Sequence, residues 1–181
     1  ASGLSEKVDS YSSVWRISRA RLPWLLIGMV GGVFGAQVIS GFEGGIKTVP
    51  ELAFYIPLIM AMGGNIGVQS SAIVVQSLAK DSNPLGSIFK KIARESIVAL
   101  INGTFLSILI FAIAFAFGNS TLGFVVSISL FAVILVAAIF GTLIPLLLNK
   151  YKIDPALATG PFITTLNDVV GLFIYLSLIH I

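Results

Sequence analysis

The chain has 181 residues, 56% hydrophobic and 10% charged, with a formal net charge of +3, one histidine and no cysteine. A soluble globular chain carries about 25% charged residues, so this much apolar surface requires lipid as its solvent. Disulfide frameworks and thiolate metal sites are excluded, and His180 cannot make a histidine metal site unless a partner chain adds ligands. The basic residues lie between apolar runs and form no continuous stripe, which argues against a nucleic-acid partner.

In chain order, residues 1–22 are a polar N-terminal segment without the apolar core of a signal peptide. Val14, Trp15 and Ile17 can share one side of a short amphipathic helix at the cytoplasmic membrane surface. Residues 23–181 read as one transmembrane ion-transport domain, an all-α membrane protein with five spans at about 23–42, 52–79, 97–117, 122–148 and 155–181. A membrane helix needs roughly 20 apolar residues. The second, fourth and fifth spans exceed this, so tilt, kinks or overhang are expected, with Pro57, Pro145 and Pro161 as candidate kink sites.

Glu43-Gly44-Gly45, Lys80-Asp81-Ser82-Asn83-Pro84, Gly118-Asn119-Ser120 and the stretch from Asn149 to Asp154 carry turn chemistry between the spans. No internal repeat is visible, so an inverted-repeat transporter within one chain is not supported. Lys7, Arg16, Arg19, Arg21, Lys80, Lys90, Lys91, Arg94, Lys150 and Lys152 fall on one side of this topology, and Lys47 on the other. The positive-inside rule then gives a multi-pass protein of the cell membrane with its N-terminus cytoplasmic and its C-terminus outside.

Asp168 lies thirteen residues after Pro155 and thirteen before Ile181, near the middle of the fifth span. Inserting a mid-span Asp costs roughly 2.5 to 3.5 kcal/mol, so such a residue faces a cavity or a partner. No span offers a basic residue near its middle to pair with it. A protonated Asp hydrogen-bonded inside the bundle is the plain structural explanation, and a cation or proton site is the functional one. On a helix Asp168 shares a face with Thr164, Thr165, Gly171 and Tyr175, with Gly160 and Pro161 one turn further back. Their hydroxyl and carbonyl oxygens suit a hard cation.

The second span holds Gly63, Gly64, Asn65, Gly67, Gln69, Ser70 and Ser71 in close order. Gly63 and Gly67 form a GxxxG pair, which helix packing alone can explain. The amides of Asn65 and Gln69 are less well explained by packing and can hold hydrated ions. In the first span Gly28, Gly31, Gly32 and Gly35 read as packing. Asn102 and Thr104 are expected in interhelical hydrogen bonds, and Ser127 and Ser129 in bonds back to their own helix. Glu43, Glu51, Glu95 and Asp154 read as solvated charges at span ends, with Glu95 a helix-start residue.

One Asp168 per chain has a consequence for charge. In a homodimer with its pore on the dimer axis, two carboxylates about 8 Å apart repel by roughly 2 kcal/mol at an effective dielectric of 20. A divalent cation between them cancels both charges. Mg²⁺ sheds water reluctantly, so a wide site that binds it largely hydrated fits this ion.

Phe42-Glu43, Phe54-Tyr55-Ile56-Pro57 and Gly63-Gly64-Asn65-x-Gly67-x-Gln69-Ser70 carry a family likeness. So do Asp154-Pro155-Ala156-Leu157, Pro161 and Asn167-Asp168-Val169-x-Gly171-Leu172-x-Ile174-Tyr175-Leu176-Ser177. Over nearly its whole length the chain resembles the membrane domain of the MgtE magnesium channels. The resemblance implies a dimerising five-helix domain whose axial pore is lined by the second and fifth helices. It also implies that Asp168 is the central Mg²⁺ site, with carbonyl oxygen from around Thr164. Relatives can carry Asn where this chain has Val68 and Gly160. Many also have a cytoplasmic regulatory portion that these 181 residues do not contain.

The expected function is passage of divalent cations, Mg²⁺ above all, through a dimeric pore in the lipid bilayer. Its ion ligands are Asp168, Thr164, Thr165, Asn65 and Gln69, and its lining includes Gly63, Gly64, Gly67, Gly160, Pro161, Gly171 and Tyr175. Enzymatic activity is not expected, because an intramembrane aspartyl protease needs two catalytic carboxylates and the spans offer one. The alternatives are a proton- or sodium-coupled carrier in which Asp168 titrates, and a non-transporting assembly subunit of the membrane.

Overall fold

The computed structural model describes residues 13–80, 88–158 and 160–179, and these residues are helical throughout apart from short turns. Six α-helices follow in order: α1 Val14–Gly41, α2 Glu43–Thr48, α3 Ile56–Lys80, α4 Ile88–Ala116, α5 Ser120–Lys150 and α6 Pro161–Ile179. Two 3-10 helices, Pro50–Tyr55 and Pro155–Ala158, precede α3 and α6. Among the described residues five segments are long and apolar enough to cross a membrane, and the six-residue α2 and the 3-10 helix Pro155–Ala158 lie outside them. The expected five-span, all-α architecture is therefore present.

The centre of the bundle is α5, against which α3, α4 and α6 all pack. Its inward residues Val126, Leu130, Val133, Ile134 and Ala137 are almost wholly buried. Small residues set the close approaches. A Cβ at Gly123 would come within 2.8 Å of Ala114 Cβ, so the α4–α5 hairpin closes tightly only with glycine there. The outermost helices are α1, which packs on α6, and α4, which packs on α5. Leu25, Met29 and Val33 of α1 and Ile101, Phe105 and Ile108 of α4 stand exposed. Apolar outer faces of this kind suit a bilayer and not water.

Glu43-Gly44-Gly45 opens the short helix α2 and is not the turn expected there, whereas the later connections carry turn chemistry. Gly118 has φ +83, a left-handed conformation that ends α4. Asn119 then caps α5 by accepting a hydrogen bond from the Leu122 N–H at 3.0 Å. Glu43 and Lys47 form an ion pair of 2.7 Å on α2. Asp154 accepts from the Ala156 N–H at 2.9 Å and shapes the approach to α6. Ser127 and Ser129 donate to the Phe124 and Val125 carbonyls of their own helix, as expected.

Several boundaries differ from the sequence reading. The first span begins at Val14, with Pro23 inside a continuous helix, so residues 14–22 belong to α1 and not to a separate amphipathic helix. Residues 1–12 of that segment lie outside the described residues, as do Asp81 to Pro84 and His180. The third span begins before Ile97, because Lys90, Lys91, Arg94 and Glu95 favour a helix as much as the apolar run does. Pro161 starts α6 after Gly160 at φ +99, and Pro57 is the second residue of α3. Neither is a mid-helix kink, since a proline in the first turn gives up an N–H that has no helical partner.

Candidate functional site

The site is built where α6 crosses α3. Asp168 is half-buried and makes no hydrogen bond or ion pair among the described residues. Its Oδ1 lies over Gly64, where an added Cβ would stand 3.1 Å from that oxygen and 3.1 Å from Thr164 Cγ2. Glycine at 64 therefore gives the carboxylate and Thr164 their closest seat on α3. Thr164 anchors itself by donating its hydroxyl to the Gly160 carbonyl at 3.2 Å. That hydroxyl oxygen keeps acceptor capacity for a ligand.

Asp168 opens onto two spaces. A groove of about 350 Å³ between α3 and α6 is lined by Met60, Ala61, Gly64, Asn65, Val68, Gln69, Thr164 and Asp168. Asn65 and Gln69 are exposed along it. A second cavity, of about 230 Å³, lies between α1 and α6 and is lined by Gly28, Gly31, Gly32, Gly35, Met60, Thr165, Asp168 and Leu172, among others. The carboxylate is the one ionisable group on either wall. Six waters at about 30 Å³ each occupy roughly 180 Å³, so the α3–α6 groove can take an ion with its inner hydration shell.

Of the expected ion ligands, Asp168, Thr164, Asn65 and Gln69 line the same groove. Thr165 turns to α1, where a Cβ at Gly31 would collide with its Cγ2, and it lines the second cavity. The three α3 glycines divide in the same way. Gly64 faces Asp168, whereas Gly63 meets Val133 and the Asn167 carbonyl, and a Cβ at Gly67 would run into the Asn167 amide. Asn167 is itself 1% exposed, and its amide has no hydrogen-bond partner among the described residues.

Gly171 packs on Val133 and Ile59. Tyr175 is buried and donates its hydroxyl to the Leu52 carbonyl at 2.8 Å. Within the chain, then, Gly63, Gly67, Gly171 and Tyr175 serve the interior and line neither space at Asp168, and Gly160 and Pro161 do not line them either.

Met60 and Ala61 were not singled out from the sequence, and Val68 only through the family resemblance. Ala61, Asn65, Val68 and Gln69 follow the i, i+4, i+7, i+8 spacing of one helix face, and that spacing is the signal that could have found them. Asn102 and Thr104 are exposed and make no hydrogen bond among the described residues. Glu95 is not a solvated helix-start residue. It is buried and faces a small space lined from α3, α4 and α5.

Residues 56–178 match the family model MgtE, described as a divalent cation transporter. The chain is 42% identical over 159 residues to the magnesium transporter MgtE of Bacillus subtilis. It is 36% identical over 158 residues to that of Thermus thermophilus, and 36% over 159 residues to that of Enterococcus faecalis. Each match covers 87% of this chain and 35% of the relative, so the chain spans about a third of the length of the curated relatives it matches.

Proposed function

The chain belongs to the MgtE family, whose members are transporters and not enzymes, and from that premise we propose that it forms the membrane path for a divalent cation, Mg²⁺. One observation carries this reading. An unpaired carboxylate at mid-span, Asp168, opens onto a groove wide enough for a hydrated ion, with Asn65, Gln69 and Thr164 on the same wall. An ionised carboxylate held in an apolar bundle without a partner is costly, and a cation removes that cost.

The groove is open along one side of the protomer, so a second copy facing it would complete a pore on the dimer axis. Two Asp168 carboxylates would then share one divalent ion. The ion is held through its water shell, because Mg²⁺ loses water reluctantly and the oxygen donors here suit outer-shell contacts. The charge asymmetry of the loops supports an N-terminus in the cytoplasm.

The test is Mg²⁺ flux into liposomes containing the purified chain. Asp168→Asn keeps size and hydrogen bonding but removes the charge, and should reduce flux by about a hundredfold or more, since a full charge at the ion is worth several kcal/mol. Asp168→Glu should retain part of it. Cobalt hexaammine, which has the shape and charge of a hydrated ion, should compete at the same site. Normal flux in Asp168→Asn would place the central site elsewhere. Flux that requires a proton or sodium gradient would replace the pore with a coupled carrier.

A further inference from the structure

Away from the half-buried Asp168 the bundle holds a buried acid. Glu95, near the start of α4, is 8% exposed and makes no hydrogen bond or ion pair among the described residues. Its neighbour Arg94 is exposed. Glu95 opens onto a cavity of about 40 Å³ whose other polar lining is Gln69 and Ser70 from α3 and Asn102 from α4, and Ala138 of α5 lines it as well. Ser70 is also buried. This places one carboxylate, two amide oxygens and a hydroxyl around a small space whose inner end holds the buried Glu95 and Ser70 and whose rim is formed by the exposed Gln69, Ile73, Val98 and Asn102.

We propose that this pocket is a binding site for one small monovalent cation, with Na⁺ as the fitting ion. Three considerations select that class. All four polar groups offer oxygen, the donor that hard cations take. The formal charge of the lining is one negative, which a singly charged ion neutralises and a divalent ion would overcompensate. The volume of about 40 Å³ holds about three waters at the roughly 10–15 Å³ each needs, so an ion with a full six-water shell does not fit. Mg²⁺ gives up its shell with difficulty and is excluded on size, whereas a monovalent ion loses its water at far lower cost. Each chain contributes one carboxylate to either space, and the Asp168 groove and the Glu95 pocket differ in volume, about 350 Å³ against about 40 Å³, with Gln69 lining both.

The site does not depend on the transport reading, and its test involves no transport. Thermal unfolding of the purified chain in detergent is followed without Mg²⁺, in NaCl against N-methyl-D-glucamine chloride at equal ionic strength. Binding of radioactive Na⁺ is measured alongside. The expected result is a melting temperature that rises with Na⁺ concentration and about one Na⁺ bound per chain. Glu95→Gln should weaken the apparent Na⁺ affinity by at least about tenfold, since the only charged ligand is lost. Asp168→Asn should leave the Na⁺ response in place, which separates this pocket from the groove. If Glu95→Gln does not fold, Ser70→Ala and Asn102→Ala should each lower the apparent affinity. A wild-type chain that ignores Na⁺, or a response unchanged in the Glu95 variant or in both fallback variants, would overturn the proposal.

Discussion

Asp168 Oδ1 rests over Gly64, with room for a hydrogen at that α-carbon and little for a methyl group: a Cβ there would lie 3.1 Å from the oxygen. The carboxylate on α6 and the glycine on α3 are thus a matched pair. Gly64→Ala should displace Asp168 and Thr164 by a few tenths of an ångström and reduce Mg²⁺ flux several-fold, with a melting temperature close to wild type. Gly67→Ala makes the contrast, because its Cβ would meet the Asn167 amide inside the bundle. Overpacking of this kind costs about 1–3 kcal/mol, so here the melting temperature should fall. Equal effects of the two substitutions on flux and on stability would contradict the division of these glycines.

Tyr175 ties α6 to the segment that leads into α3, since its buried hydroxyl donates to the Leu52 carbonyl at 2.8 Å. Tyr175→Phe removes the donor and leaves that carbonyl unpaired. The expected loss is about 1–3 kcal/mol of stability, read as a lower melting temperature. Because Tyr175 lies on the same helix as Asp168, we also expect a modest fall in flux. An unchanged melting temperature would mean that the Leu52 carbonyl finds another donor once the hydroxyl is gone.

Topology can be checked by labelling single cysteines, as the chain has none of its own. Cysteines at Gly44 and Asn119 should react with an impermeant reagent from outside, and one at Lys152 only after the membrane is opened. The reverse pattern would invert the orientation read from the lysines and arginines.

Native mass measurement in detergent or lipid should give two copies per particle. The expectation follows from the one-sided groove, which a second chain would close. A stable monomer that transports Mg²⁺ would remove the shared pore while leaving Asp168 as the ion site of one chain.

Much was legible in the residues alone. Five apolar stretches, their polar connections and the charge asymmetry are local properties, and lipid requires each stretch to satisfy its backbone as a helix. Asp168 stood out because a mid-span carboxylate is costly wherever it is placed. Helix ends were less legible. At Pro23 and at Lys90 to Glu95 the helix runs on beyond the apolar stretch, because helix formation and hydropathy are separate properties.

What needed tertiary structure was the direction in which each side chain is turned. Thr164 and Thr165 are adjacent and chemically alike, yet one borders the α3 groove and the other packs on Gly31 of α1. Gly63, Gly64 and Gly67 form one motif in the sequence, and only the crossing of α6 over α3 puts Gly64 beneath the carboxylate and the other two in the interior. Glu95 reads as a surface charge next to Arg94, and its burial arises because α3 and α4 both pack on α5 and close around it. Periodicity assigns a residue to a face of its own helix. Which neighbour meets that face is decided by the packing of side chains distant in sequence, and no local pattern carries that information.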